Sequence, residues 1–140
     1  MNLTYRCKHL KLDEGIWVKE PIVPVTLAGS NGIKLNFTAI LDSGSDFILI
    51  PLEVADALSL EYSKEKQDTA KTYSGDTIST TLSTVKIQMQ KDREKTEFGC
   101  RCAIFLGDKK QQEHIIFGSS FFERFKINFD YQNNKFQIKN

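Results

Sequence analysis

What the sequence lacks narrows it first. No apolar run approaches the roughly 18 residues that a membrane-spanning helix needs, so a membrane is not an expected partner. Met1 to Lys8 hold no apolar stretch of the secretory kind. Charge of one sign is missing too: 19 Lys and Arg stand against 18 Asp and Glu, a net charge of +1. With no basic stripe interleaved with aromatics, nucleic acid is not expected either. Cysteine is scarce and odd in number, three in all, which without an export signal reads as reduced thiols in a cytoplasmic chain. The sequons at Asn2 and Asn36 then carry no sugar.

What is there is an ordinary globule, 40% hydrophobic and 26% charged. At 140 residues it is long enough for one core but not for two lobes. We read residues 1–20 as an N-terminal arm or first strand and 21–140 as a single domain. The dominant period is two, which predicts a mainly β protein. Ile22 to Leu27 is an apolar segment broken by Pro24, suited to an edge or a bulge. After the turn residues 28–32, Ile33, Leu35, Phe37, Ala39 and Leu41 alternate with polar residues as a half-buried strand. That strand delivers the chain to Asp42. The segment 42–46 must turn, because the apolar run Phe47 to Ile50 follows, and Pro51 is placed to open a short helix striped by Leu52, Ala55 and Leu58.

Further on, Thr69 to Thr84 predicts a long polar hairpin with Ser74-Gly75-Asp76 at its middle. A strand over Val85, Ile87 and Met89 follows, then a solvated connection at 91–95. Phe98, Cys100, Cys102, Ile104 and Leu106 share one strand face, and His114 to Phe117 is an apolar strand ending at Gly118. Ser120 with Glu123 fits a capping box for a short helix. A hairpin turning at 132–134 closes the chain.

An Asp at the end of an apolar strand is unusual, since a carboxylate entering a core needs compensating partners. Taken alone, Asp42-Ser43-Gly44 is either a plain turn bonded to its own backbone or a carboxylate set up for chemistry. The flanks decide for the second. Ile40-Leu41 precedes it, Phe47-Ile48-Leu49-Ile50 follows, a Ser/Thr/Gly hairpin comes next, and Ile116-Phe117-Gly118 lies near the end. This ordered pattern resembles the retropepsin-like aspartic peptidases of clan AA, which include the retroviral proteases. It is similar to their single-domain prokaryotic members, and the resemblance spans about Pro21 to Ile138.

The resemblance implies an all-β fold: a closed acid-protease barrel with one or two short helices and a flap hairpin, active as a symmetric dimer. Hydrolysis by carboxylates needs one ionised group to take a proton from water and one protonated group to polarise the carbonyl. Two carboxylates about 3 Å apart share a proton for that purpose. This chain has a single Asp-Ser-Gly, so the second carboxylate must come from another copy. By the resemblance Asp42 is the catalytic acid and base, Ser43 bonds across the dimer, and Gly44 admits close backbone approach. Ser45 donates to the ionised carboxylate, which implies an acidic pH optimum. Asp46 either contacts substrate backbone, as the matching family position does, or is a solvated turn residue, since the Arg that often pairs with this position is replaced here by Ser119-Ser120. Tyr73, Ser74 and Gly75 form the flap tip, and Ile116, Phe117 and Gly118 brace the active-site turn.

Other candidates carry less. Cys7-Lys8-His9 and Cys100-Arg101-Cys102 lack the two-residue spacing of a zinc site and read as buried free cysteines, so no metal or cofactor is expected. His114 has no sequence partner that would make it a base. The expected activity is an aspartic endopeptidase acting on extended peptide or unfolded protein; its rival is a catalytically silent module of the same fold used for dimerisation or peptide binding.

Overall fold

The computed structural model describes residues 1–71, 77–107 and 114–140, and strands dominate them. The opening residues, which show no clear period, are ordered as β1 (Asn2–Arg6), which buries Leu3 and Tyr5, and a hairpin of β2 (Lys8–Lys11) with β3 (Trp17–Glu20). β4 (Ile22–Ala28) buries Val23, Val25 and Leu27 at alternate positions. Pro24 has a strand neighbour on one side only, as its missing N–H requires. β5 (Lys34–Leu41) is half-buried only from Phe37 onward; Ile33 and Leu35 are exposed, because β5 has a second neighbour only from Ala39. β6 (Ile48–Pro51) is buried at every position. Pro51 ends it in extended backbone and serves as the N-cap of α1 (Leu52–Ala57), whose Ala55 faces the core beside buried Leu58.

β7 (Asp68–Lys71) pairs with β8 (Thr77–Lys91). The separate strand expected around Val85 is the second half of β8, which runs without a break. The expected connection at 91–95 narrows to a turn at Asp92-Arg93, with Asp92 at a φ of 55°, because Lys91 and Glu94 already pair between β8 and β9 (Glu94–Phe105). β10 (Ile115–Phe117) leads into α2 (Ser119–Arg124). The closing hairpin is β11 (Lys126–Asp130) and β12 (Lys135–Lys139), joined through Asn134 in the left-handed region at a φ of 59°.

Besides the β2–β3 hairpin, two sheets organise these strands. β4, β5, β10, β6, β9 and β8 neighbour one another in that order, and β4 pairs back to β8 through Thr26 to Ala28, so the ring closes. Closure removes free edges and encloses the core. The second sheet joins both ends of the chain in the order β1-β12-β11, a pairing between distant segments. Phe136 stacks on Tyr5 at 5.5 Å there. Each fully buried Leu, Ile or Phe of such a core contributes about 1.5–3 kcal/mol relative to exposure.

One topological detail positions the site. β5 and β6 are consecutive in sequence but not neighbours, since β10 lies between them, parallel to β5 and antiparallel to β6. The turn joining β5 to β6 therefore crosses the end of β10. Asp42 opens that turn.

Candidate active site

Period two along β5 buries Ala39 and Leu41 and turns Ile40 to the other face of the sheet. Asp42 continues the alternation, so its carboxylate belongs to the face of Ile40. Its backbone stays in the sheet: Asp42 N donates to the Phe117 carbonyl at 3.0 Å. The carboxylate of Asp42 is partly exposed, and its hydrogen bonds are local. Oδ1 accepts from the Gly44 N–H at 2.9 Å, and Oδ2 accepts from the Ser45 hydroxyl at 3.4 Å. Ser45 is buried, whereas Ser43 and Gly44 are exposed, and the Ser43 hydroxyl has no partner among the described residues.

Below the turn, the end of β10 is fitted closely. A β-carbon on Gly118 would lie 2.4 Å from the carbonyl oxygens of both Phe47 and Ser45, so only glycine fits. The Gly118 N–H donates to the Phe47 carbonyl at 3.0 Å, and the Ser119 N–H to the Ser45 carbonyl at 2.7 Å. The Ser119 hydroxyl donates to the Asp46 carbonyl at 2.7 Å. The Ser120 N–H reaches the same carbonyl at 3.4 Å.

This arrangement corrects the expected capping box. The N-cap of α2 is Gly118 and carries no side-chain cap, and the Ser120 hydroxyl is buried with no partner among the described residues. The first free N–H groups of the helix are taken by carbonyls of the Asp42 turn, so the turn itself caps the helix. Ser119, which sequence reasoning noted only as standing where an Arg is expected, thereby ties the turn down. The carboxylate of Asp46 is exposed and has no partner among the described residues.

Ile116 and Phe117 divide as alternation requires. Phe117 faces the core and stacks on Phe121 at 4.8 Å, while Ile116 faces outward with Ile40. There it joins a row that sequence reasoning did not assemble. Ile22, Ile40, Ile116, Leu49, Ala103 and Leu82 stand opposite one another in register across successive strands. Leu49, Ala103 and Phe105, with Ile78 and Ile116 against them, form an apolar cluster separate from the main core. The signal for it was present: runs such as Phe47 to Ile50 are apolar at both parities, which marks strands covered on both faces. Asp42 lies two residues beyond Ile40 along the chain, beside this row.

Tyr73, Ser74 and Gly75 lie outside the described residues. The strands that lead to them pair from Asp68 with Thr80 to Lys71 with Thr77. Cys7 and Cys102 are buried and Cys100 half-buried, all free thiols. Burial pushes the Cys102 thiol up to about 12, with Cys100 beside it adding to the shift, and burial pushes Cys100 up to about 11. Among the described residues, no three His, Cys, Asp or Glu side chains gather where a metal could bind.

Residues 23–121 match the sequence family described as aspartyl protease, a span holding the Asp42 turn, β10 and most of the ring. No curated protein matches the chain. Among solved structures, the crystal structure of a retropepsin-like aspartic protease from Rickettsia conorii aligns over 98% of this chain and 98% of its own, at 18% identity and a TM-score of 0.51. The likeness is one of fold.

Proposed function

Because the chain belongs to the aspartyl protease family, and so is a peptidase, we propose that it is an endopeptidase whose water is activated between the Asp42 carboxylates of two copies. The observation that carries this reading is a single Asp-Ser-Gly, beside an apolar row, with a carboxylate that among the described residues is bonded only to its own turn. One such group cannot both accept a proton from water and donate one to the carbonyl. Two of them related by a two-fold axis can. One carboxylate, ionised, takes a proton as water attacks the peptide carbonyl; the other, protonated, donates to the developing oxyanion. Collapse of the tetrahedral intermediate returns a proton to the leaving amine and restores the shared proton.

The Ser45 hydroxyl donates to Asp42 at 3.4 Å, and an acidic pH optimum is part of the same proposal. Ser43, exposed and unbonded among the described residues, is available to the second copy. Extended substrate lies along the face of Ile40, Ile116 and Leu49, where backbone hydrogen bonds give affinity and apolar pockets give selectivity. The β7–β8 hairpin is the flap over that face, and Asp46 meets substrate backbone. Residues 21–140 act as one domain, with β1 added from the N-terminal segment.

The test is cleavage of an unfolded protein across acidic pH by wild type and Asp42→Asn. Cleavage by wild type and none by the variant is the expected result. Equal cleavage by both would remove Asp42 from the chemistry.

A further inference from the structure

We propose that the β2–β3 hairpin is an interaction arm whose apolar face docks on the second copy of this chain; the inference rests on the two-copy reading above. In the hairpin Leu10 stands opposite Val18, and the Leu12 N–H donates to the Ile16 carbonyl at 2.7 Å. Period two then puts Leu10, Leu12, Ile16 and Val18 on one face. In their own chain Leu10 is 43% exposed, Leu12 48% and Ile16 54%. The ring buries its apolar face, whereas here Leu10, Leu12 and Ile16 stay exposed and Val18 is half-buried. The hairpin is a sheet of its own, held at its base by the Cys7 N–H on the Asn134 carbonyl at 3.0 Å and by the Lys19 ammonium on the Tyr131 carbonyl. A two-stranded ribbon is marginal in water without something packed on it.

Its place in the fold selects the occupant. The Leu41 N–H donates to the Pro21 carbonyl at 3.1 Å, the last rung before Asp42, and at Pro21 the chain leaves the ring for the hairpin. The base of the hairpin, at Glu20, thus directly precedes the residue bonded next to Asp42. A specific interface takes on the order of 20 residues a side, more than the turn at 42–46 can offer. Exposed apolar surface adjoining that turn is what such an interface lacks, and the hairpin and Phe47, itself exposed, supply it. Net charge does not oppose the contact, since the chain carries only +1. About a two-fold axis each hairpin would cover the other copy, so the apolar face is buried twice.

The experiment measures self-association of the full chain by sedimentation, for wild type, Leu12→Glu/Ile16→Glu and the milder Leu12→Ser, with circular dichroism to check the fold. The expected result is a folded double variant whose dimer dissociation constant rises by at least about tenfold. A smaller rise is expected for Leu12→Ser, with cleavage recovering as protein concentration is raised. Dimer affinity unchanged in both folded variants overturns the hairpin proposal alone, and a rise confined to KM would reassign the hairpin to substrate. Should the double variant fail to fold, Leu12→Ser decides between the same outcomes. Wild type that stays monomeric at every concentration overturns the two-copy reading itself.

Discussion

Gly118 lies directly against Ser45, so close that an added β-carbon would sit 2.4 Å from the Ser45 carbonyl oxygen. That contact couples the end of β10 to the turn carrying Asp42, because the turn has to cross β10 to reach β6. Gly118→Ala forces one of two backbones to move. Overpacking of this kind costs about 1–3 kcal/mol. Misplacing a reacting group by about 1 Å costs on the order of a hundredfold in rate. The variant is therefore expected to remain folded, with a lowered denaturation midpoint, and to lose at least about a hundredfold in kcat. Wild-type activity in Gly118→Ala would show that the fitted contact does not position Asp42.

Ser119 stands where an Arg was expected and holds the same stretch of chain by a different bond. Its hydroxyl donates to the Asp46 carbonyl at 2.7 Å, and the Ser120 N–H, at 3.4 Å, is the weaker second donor. Removing the hydroxyl costs about 0.5–1.5 kcal/mol of stability. Ser119→Ala is expected to lower kcat by about tenfold with KM little changed, and Ser119→Thr to restore most of it. A hydroxyl acting on a carbonyl, unlike an ion pair, is not screened, so moderate salt should leave the ratio of the two variants unchanged. Steady-state kinetics at two ionic strengths checks both points.

The parts of this fold that could be read in advance are those set by local order. The alternation from Phe37 to Leu41, the turn after it and the apolar segment ending at Gly118 each follow from neighbours in sequence. What escaped was non-local. β1 finds its partner β12 at the far end of the chain, and nothing in Asn2 to Arg6 announces that pairing. The capping box at Ser120 was a sound local rule overridden by tertiary structure, because the Asp42 turn already satisfies the helix N–H groups. The apolar row behind Asp42 needed strand order as well as strand pattern. Tyr73, Ser74 and Gly75 rest on resemblance alone.

That row predicts selectivity. Ile116 is half-buried and faces outward beside Ile40, on the face of Asp42. Shortening it to Ala takes three carbons from the surface on which substrate is proposed to lie, and one methylene in such a pocket is worth about 1–3 kcal/mol. Ile116→Ala is expected to lower kcat/KM by at least about tenfold for peptides with a large apolar residue at the scissile bond. The loss should be smaller for peptides with a small residue there. A library of peptides varied at that position measures the difference, and an equal loss for all of them would place Ile116 away from substrate.

The buried thiols give a prediction independent of catalysis. Burial, with Cys100 alongside, holds Cys102 up to about 12, and burial holds Cys100 up to about 11, against an ordinary thiol value of 9.0. A group whose proton is held more tightly in the folded state favours folding fully below its unfolded value, and that contribution is lost as pH rises toward the folded value. Unfolding should therefore become easier from about pH 9 upward, as thiolates form in the unfolded chain and not in the native one. Tyr5, whose phenol burial pushes up to about 12 from 10.0, adds to the same slope at its upper end. Denaturant midpoints between pH 8 and pH 11 should fall with pH in wild type and fall less in Cys102→Ala. At pH 8 a thiol alkylating agent should label Cys102 slowly in the native protein and rapidly once denaturant is added. Rapid native labelling of Cys102 would mean that its strand in the ring opens far more readily than its burial implies.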